Sequence, residues 1–217
     1  MNKRLLVIVA ALAALVVFAA GTNLYTSRQA PEAPATVVET SLVRNHSPVI
    51  GKADAPVTIV EFLDPSCEAC RAFFPIVKDV LAQYPDNVRL VVRYAAFHEG
   101  SDEAVRIIEA SRQQDKFEQV LAALFQNQDR WAAHGAPDLK QAWEIARGAG
   151  LELMQARLDS VKPEVDAVLK QDAADVEANK VEQTPTFFVN GAPLTEFSEE
   201  GFRSLVKRQV EAARSGS

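Results

Sequence analysis

"EFLDPSCEACRAFFP", Glu61 to Pro75, holds both cysteines of the 217-residue chain, three positions apart. Just upstream, "APVTIVEF" (Ala55–Phe62) is β-branched and apolar, bounded by Pro56 and by Asp64-Pro65, the pattern of a buried strand. After Cys67 the sequence reads as helical to about Tyr84, and "NVRLVVRY" (Asn87–Tyr94) reads as a second strand. Strand, helix and strand in that order predict a parallel crossover. Cys67 therefore stands where a helix begins. The unpaired N–H groups and the roughly half positive charge of a helix N-terminus favour thiolate over thiol there. Cys70 follows one turn on, placed to attack a mixed disulfide formed at Cys67 and release it.

A fixed bridge across so short a loop would stabilise little, because the entropic gain grows with loop length. A metal site needs about four ligands. Two cysteines supply half of them, and His46, His98 and His134 are not spaced as a second ligand pair. What remains is a pair that cycles between dithiol and disulfide, with no metal or cofactor expected.

Further along, the period becomes helical from Ser101 to about Val181. Ser101 is a candidate N-cap, with Asp102 and Glu103 in the first turn. Phe117, Val120, Leu121, Leu124 and Phe125 lie on one helical face, as do Leu139, Ala142, Trp143 and Ala146, and a further helix follows Pro163. Trp131 and Trp143 are expected in the core. Strand character returns in "TPTFFVNGAPL" (Thr184–Leu194), where Asn190-Gly191 marks a tight hairpin. A last helix starts at Ser198, with Phe197 and Phe202 placed as a hydrophobic staple. The expected class is α/β, with a helical subdomain at about 101–181 interrupting the strands.

The N-terminus is of another kind. A short basic flank, "MNKR", precedes the uncharged apolar run Leu5–Ala20. Residues 1–21 read as a signal peptide or a membrane anchor, residues 22–46 as a linker and 47–217 as the folded domain. Either reading of the leader carries the domain to a periplasmic or other extracytoplasmic compartment that permits disulfides. A net charge of −6 argues against nucleic acid or an anionic membrane face as partner.

"GKADAPVTIVEFLDPSCEACRAFFP" (Gly51–Pro75) resembles the start of the DsbA-like thiol–disulfide oxidoreductases of the thioredoxin superfamily, and "TPTFFVNG" (Thr184–Gly191) resembles their cis-proline strand and hairpin. The resemblance runs from about Ser47 to Val210. It implies a thioredoxin fold whose two halves flank the helical insertion, with Cys67 and Cys70 as the redox pair. Pro185 is then expected in a cis peptide bond against the cysteines, leaving the backbone of Thr184 to receive a bound polypeptide as an added strand. Glu61 stands where the family has a buried acid near the second cysteine, to carry protons to and from Cys70. Burial would raise its pKa, and Arg93 is a candidate counter-charge.

Glu68 and Ala69, between the cysteines, tune the potential. Strongly oxidising relatives place Pro and His there. Glu68 instead raises the Cys67 pKa by about half a unit through like-charge repulsion. With Thr184 before the proline, this predicts a potential between that of thioredoxin and that of the strongest periplasmic oxidant. The expected activity is exchange of disulfides with exported polypeptides, by a monomer recycled by a membrane redox partner. Alternatives are a reductase or isomerase kept reduced by a membrane electron donor, a copper(I)-binding protein using both thiolates, and a non-catalytic holdase.

Overall fold

A computed structural model describes residues 40–133 and 136–215. The leader at 1–21, most of the linker, and His134 lie outside the described residues.

Five strands form one mixed sheet in the order β1–β3–β2–β4–β5 among the described residues. Strand β2 (Val57–Leu63) is central, and six of its seven residues are buried. A strand covered on both faces has no solvent side, which is why its sequence is nearly continuous in apolar residues. Helix α1 (Glu68–Gln83) crosses over to β3 (Val88–Tyr94), which runs parallel to β2 with Val57 opposite Val88 and Leu63 opposite Tyr94. The short β1 (Val49–Ile50) adds antiparallel to β3. It is too brief to show a period in the sequence.

On the other side of β2, the antiparallel β4 (Thr186–Val189) places Glu61 opposite Phe187 and Phe62 opposite Thr186. It turns at Asn190 and Gly191, with φ of 48° and 82°, into β5 (Ala192–Pro193). The Asn190 side chain accepts from the amide of Thr58 at 2.8 Å and so pins the hairpin to β2. In α8 (Glu199–Ser215) the cap is Ser198, whose hydroxyl accepts from Gly201 N at 3.0 Å. Phe197 and Phe202 both pack their rings against Phe73 of α1.

Between β3 and β4 stand α2 (Ser101–Arg112), α3 (Phe117–Gln126), α4 (Gln128–Trp131), α5 (Leu139–Gly148), α6 (Leu153–Ser160) and α7 (Pro163–Ala178). The result is a thioredoxin fold with a helical subdomain between its halves. Trp131 and Trp143 are buried, their indole N–H groups held by Leu124 O and Glu103 respectively. Helix α6 gives no clear periodic signal because Met154 and Leu158 are exposed. Its start is fixed by Glu152, whose carboxylate accepts from Met154 N and Gln155 N.

Ser101 is not an N-cap. Gly100 occupies that position in the left-handed region, and the Ser101 hydroxyl turns inward to Asp64. Residues 40–46, the end of the segment read as linker, are also packed. Leu42 and Val43 lie against Phe62, Val60, Val91 and Val181, a small core on the back of the sheet. The larger core fills the front, between the sheet, α1, α8 and the inserted helices.

Candidate active site

Strand β2 ends at Leu63, and Asp64, Pro65 and Ser66 make the turn into α1. Cys67 is the N-cap residue of α1, in extended conformation, and its side chain makes no cap bond. Its amide donates to Asp64 O at 3.1 Å and its carbonyl accepts from Arg71 N at 3.1 Å. Both cysteines are free thiols. Cys67 is 8% exposed and Cys70 not at all. One sulfur meets solvent and the other waits beneath it.

The Cys67 thiol donates to the carbonyl of Thr184 at 3.2 Å, and the Thr184–Pro185 peptide bond is cis. Hydrogen bonding from the Cys70 thiol, aided by the Thr184 side chain and the amides of Cys70 and Ala69, holds the Cys67 thiol far below its ordinary value, at about 5, against the opposing effect of burial. Burial pushes Cys70 the other way. Its hydrogen bond to Cys67 and the nearby Glu61 charge push it further up, so Cys70 stays a protonated thiol. The pair is thus divided into one ready nucleophile and one held in reserve.

Glu61 points into the front core and is raised to about 8 by burial alone. Alternation along β2 puts it on the face of Ile59 and Leu63. The expected counter-charge is absent from this face. Arg93 is opposite Phe62 in the register, so its side chain lies behind the sheet. There it pairs with Asp172 at 2.7 Å and Asp175 at 2.6 Å, with its guanidinium over the Phe62 ring. The correction follows from strand periodicity, since neighbours in register share a face and Glu61 is matched with Val92.

Glu68 is exposed in the first turn of α1, and Ala69 contributes its amide to the Cys67 sulfur. The structure thus gathers Glu61, Cys67, Cys70, Ala69, Thr184 and Pro185 around one point, with Glu68 at the rim.

Sequence reading missed the support beneath this turn. Asp64 is wholly buried, and its carboxylate accepts from Ser66 N at 2.8 Å, Phe97 N at 2.7 Å, His98 N at 2.9 Å, His98 Nδ1 at 2.8 Å and the Ser101 hydroxyl. Its amide donates to Cys70 Sγ at 3.4 Å. From α4, the buried Gln128 amide donates to Pro65 O at 2.8 Å and Cys67 O at 3.0 Å. The one signal was a charged residue, Asp64, set directly between an apolar strand and the cysteines. Nothing local marked Gln128. Among the described residues no group of three or more His, Cys, Asp or Glu is placed to hold a metal ion.

The family model described as Thioredoxin matches residues 44–208. Among curated proteins the chain is 30% identical, over 68% of its length, to the Na(+)/H(+) antiporter NhaA 1 of Mycolicibacterium gilvum. It spans only 24% of that relative's length. It is also 30% identical to disulfide bond formation protein D of Bacillus subtilis, covering 70% of this chain and 71% of that one. A thioredoxin-like oxidoreductase from Silicibacter pomeroyi superposes with a TM-score of 0.68 at 33% identity, covering 82% of this chain and 98% of the other. The chain belongs to the thioredoxin family, as a DsbA-like member with a helical insertion between the two halves of the fold.

Proposed function

We propose that the protein is a thiol–disulfide oxidoreductase that exchanges disulfides with polypeptides through Cys67 and Cys70. The observation that carries this reading is the division of the pair: a slightly exposed Cys67 held near pKa 5 at a helix start, above a fully buried Cys70 kept protonated.

In the oxidising direction a substrate thiolate attacks Cys67 Sγ of the disulfide form, and the Cys67–Cys70 bond breaks. Cys70 leaves as thiolate and takes a proton, for which Glu61, protonated below about pH 8, is the source. A second substrate thiolate then attacks the substrate sulfur, and Cys67 departs as a stable thiolate. Its low pKa makes it a good leaving group. Thr184, whose carbonyl meets the Cys67 sulfur, lines the path of the incoming chain, and Pro185 fixes the bend beside it.

The substrates are exported polypeptides, and a membrane redox partner returns the pair to its working state. Support comes from the Leu5–Ala20 apolar run and from the Bacillus relative named for disulfide bond formation. No helix among the described residues is long and apolar enough to cross a membrane. A Cys67 pKa near 5 fits a potential between thioredoxin and the strongest oxidants, for which values of about 7 and 3.5 mark the two ends.

The test is oxidative refolding of a reduced, unfolded protein alongside insulin reduction, on wild type and on Cys67→Ala. Catalysis of either by wild type and of neither by the variant is expected. Equal rates for both proteins would overturn the proposal.

A further inference from the structure

We propose that His98 is a positioning residue of the redox reaction, an imidazole tied through Asp64 to both cysteines that takes up a proton when the pair is reduced and gives it back when the disulfide forms. This rests on the oxidoreductase reading above and adds to it a residue from outside the cysteine motif.

The geometry is that of one residue shared by three groups. The Asp64 amide donates to Cys70 Sγ at 3.4 Å, its carbonyl accepts from Cys67 N at 3.1 Å, and its carboxylate holds the His98 ring by Nδ1 at 2.8 Å. Asp64 is itself fully buried and held by four further donors. The backbone amide of His98 is one of them, so loop and ring are fixed together. A carboxylate at that distance requires Nδ1 to carry the hydrogen, which leaves Nε2 as the nitrogen that titrates. The ring is 38% exposed, so its proton exchanges with water.

Three negative groups act on His98: Asp64, just past the end of β2, and Cys67 and Glu68 at the start of α1. Glu99 is its neighbour in the loop, and Asp102 and Glu103 stand in the first turn of α2. Asp64 foremost, with Cys67 and Glu68, favours the imidazolium and raises its pKa above the ordinary histidine value, against a smaller opposing effect of burial. Among these charges the Cys67 thiolate alone depends on the redox state. It exists in the dithiol and vanishes when its sulfur joins Cys70.

A substrate dithiol gives two electrons to the Cys67–Cys70 bond and becomes a disulfide. Of its two protons, one goes to Cys70 and the other to His98 Nε2, where that nitrogen is neutral. Cys67 remains a thiolate. Linkage makes the effect reciprocal: the factor by which reduction strengthens proton binding at His98 equals the factor by which the imidazolium favours the dithiol.

The first measurement needs no variant. The His98 ring is titrated by nuclear magnetic resonance in the dithiol and disulfide forms of the wild-type protein. A pKa higher in the dithiol, by an amount corresponding to about a twofold to tenfold change in proton affinity, is expected. Equal values in the two forms overturn the proposal. The second measurement is the equilibrium constant with glutathione from pH 6 to 9 for wild type, His98→Gln and His98→Lys.

Gln keeps a hydrogen bond to Asp64 without the charge, and should lower the preference for the dithiol by the same twofold to tenfold. Lys keeps a charge throughout and should hold the preference to the top of the range. A His98→Gln protein that folds and matches wild type would overturn the inference while leaving the oxidoreductase reading intact. A wild type that exchanges with no thiol would sink both.

Discussion

The front and back of the central sheet bury ionisable groups in opposite ways. Behind it, Arg93 is fully buried and its guanidinium is saturated: Asp172 and Asp175 on one side, the carbonyls of Ser41 and Leu42 on the other. Against burial, which pushes it up, hydrogen bonds from Arg44 and Arg93 pull Asp175 down to about 2. In front, Glu61 is buried too, yet burial alone governs it and raises it to about 8. Paired buried charges hold a structure in place, whereas a carboxyl left without a cation keeps its proton until near-neutral pH and can hand it over. The difference separates scaffold from chemistry.

The sharpest break in the comparison is Cys67→Ala, which should reduce thiol exchange by on the order of a thousandfold or more while leaving the back-face cluster untouched. Next comes Arg93→Met. Removing it leaves Asp175 to Arg44 and Asp172 to His46, both part-exposed partners, and should cost about 3–5 kcal/mol in denaturant unfolding, with exchange by the folded fraction little changed. Glu61→Gln should slow proton-coupled release of Cys70 by about a hundredfold below pH 8, seen in stopped-flow formation of the mixed disulfide from the disulfide form.

The same variant sharpens the contrast through pH. Glu61 binds its proton more tightly when folded, so its contribution to dithiol stability is full below about pH 4 and is lost as pH rises through about 8. Glu61→Gln should therefore gain stability over wild type as pH climbs across that window. Asp175 runs the other way, its contribution present above the ordinary carboxylate range and lost as pH falls through about 2. The smallest effect belongs to Arg44→Ala, about 1 kcal/mol, because Arg44 is part-exposed and Asp175 retains Arg93.

The sequence revealed what repeats or punctuates locally. The apolar run of β2, the helix after Cys67, the Asn190-Gly191 turn and the two cysteines each carry their meaning within a few residues. The pairing of Glu61 with Val92 does not, because register is set by a partner strand. That is why Arg93 could be named a counter-charge to an acid on the opposite face. Asp64 drew notice only as a strand end. Its partners His98 and Ser101 lie 34 and 37 positions on, a separation at which no periodicity links residues. Ser101 shows the cost of reading locally: a hydroxyl before a helical run suits a cap, yet the buried carboxylate claims it.

Gln128 carries a consequence for inheritance. Its amide, from the inserted helices, grips the two carbonyls that flank Ser66, at Pro65 and Cys67. The curvature of the cysteine loop is therefore partly owned by a segment 61 residues downstream. Transplanting Cys-Glu-Ala-Cys into a cousin with a different insertion would move the letters without the grip, and the graft would not behave as its donor does.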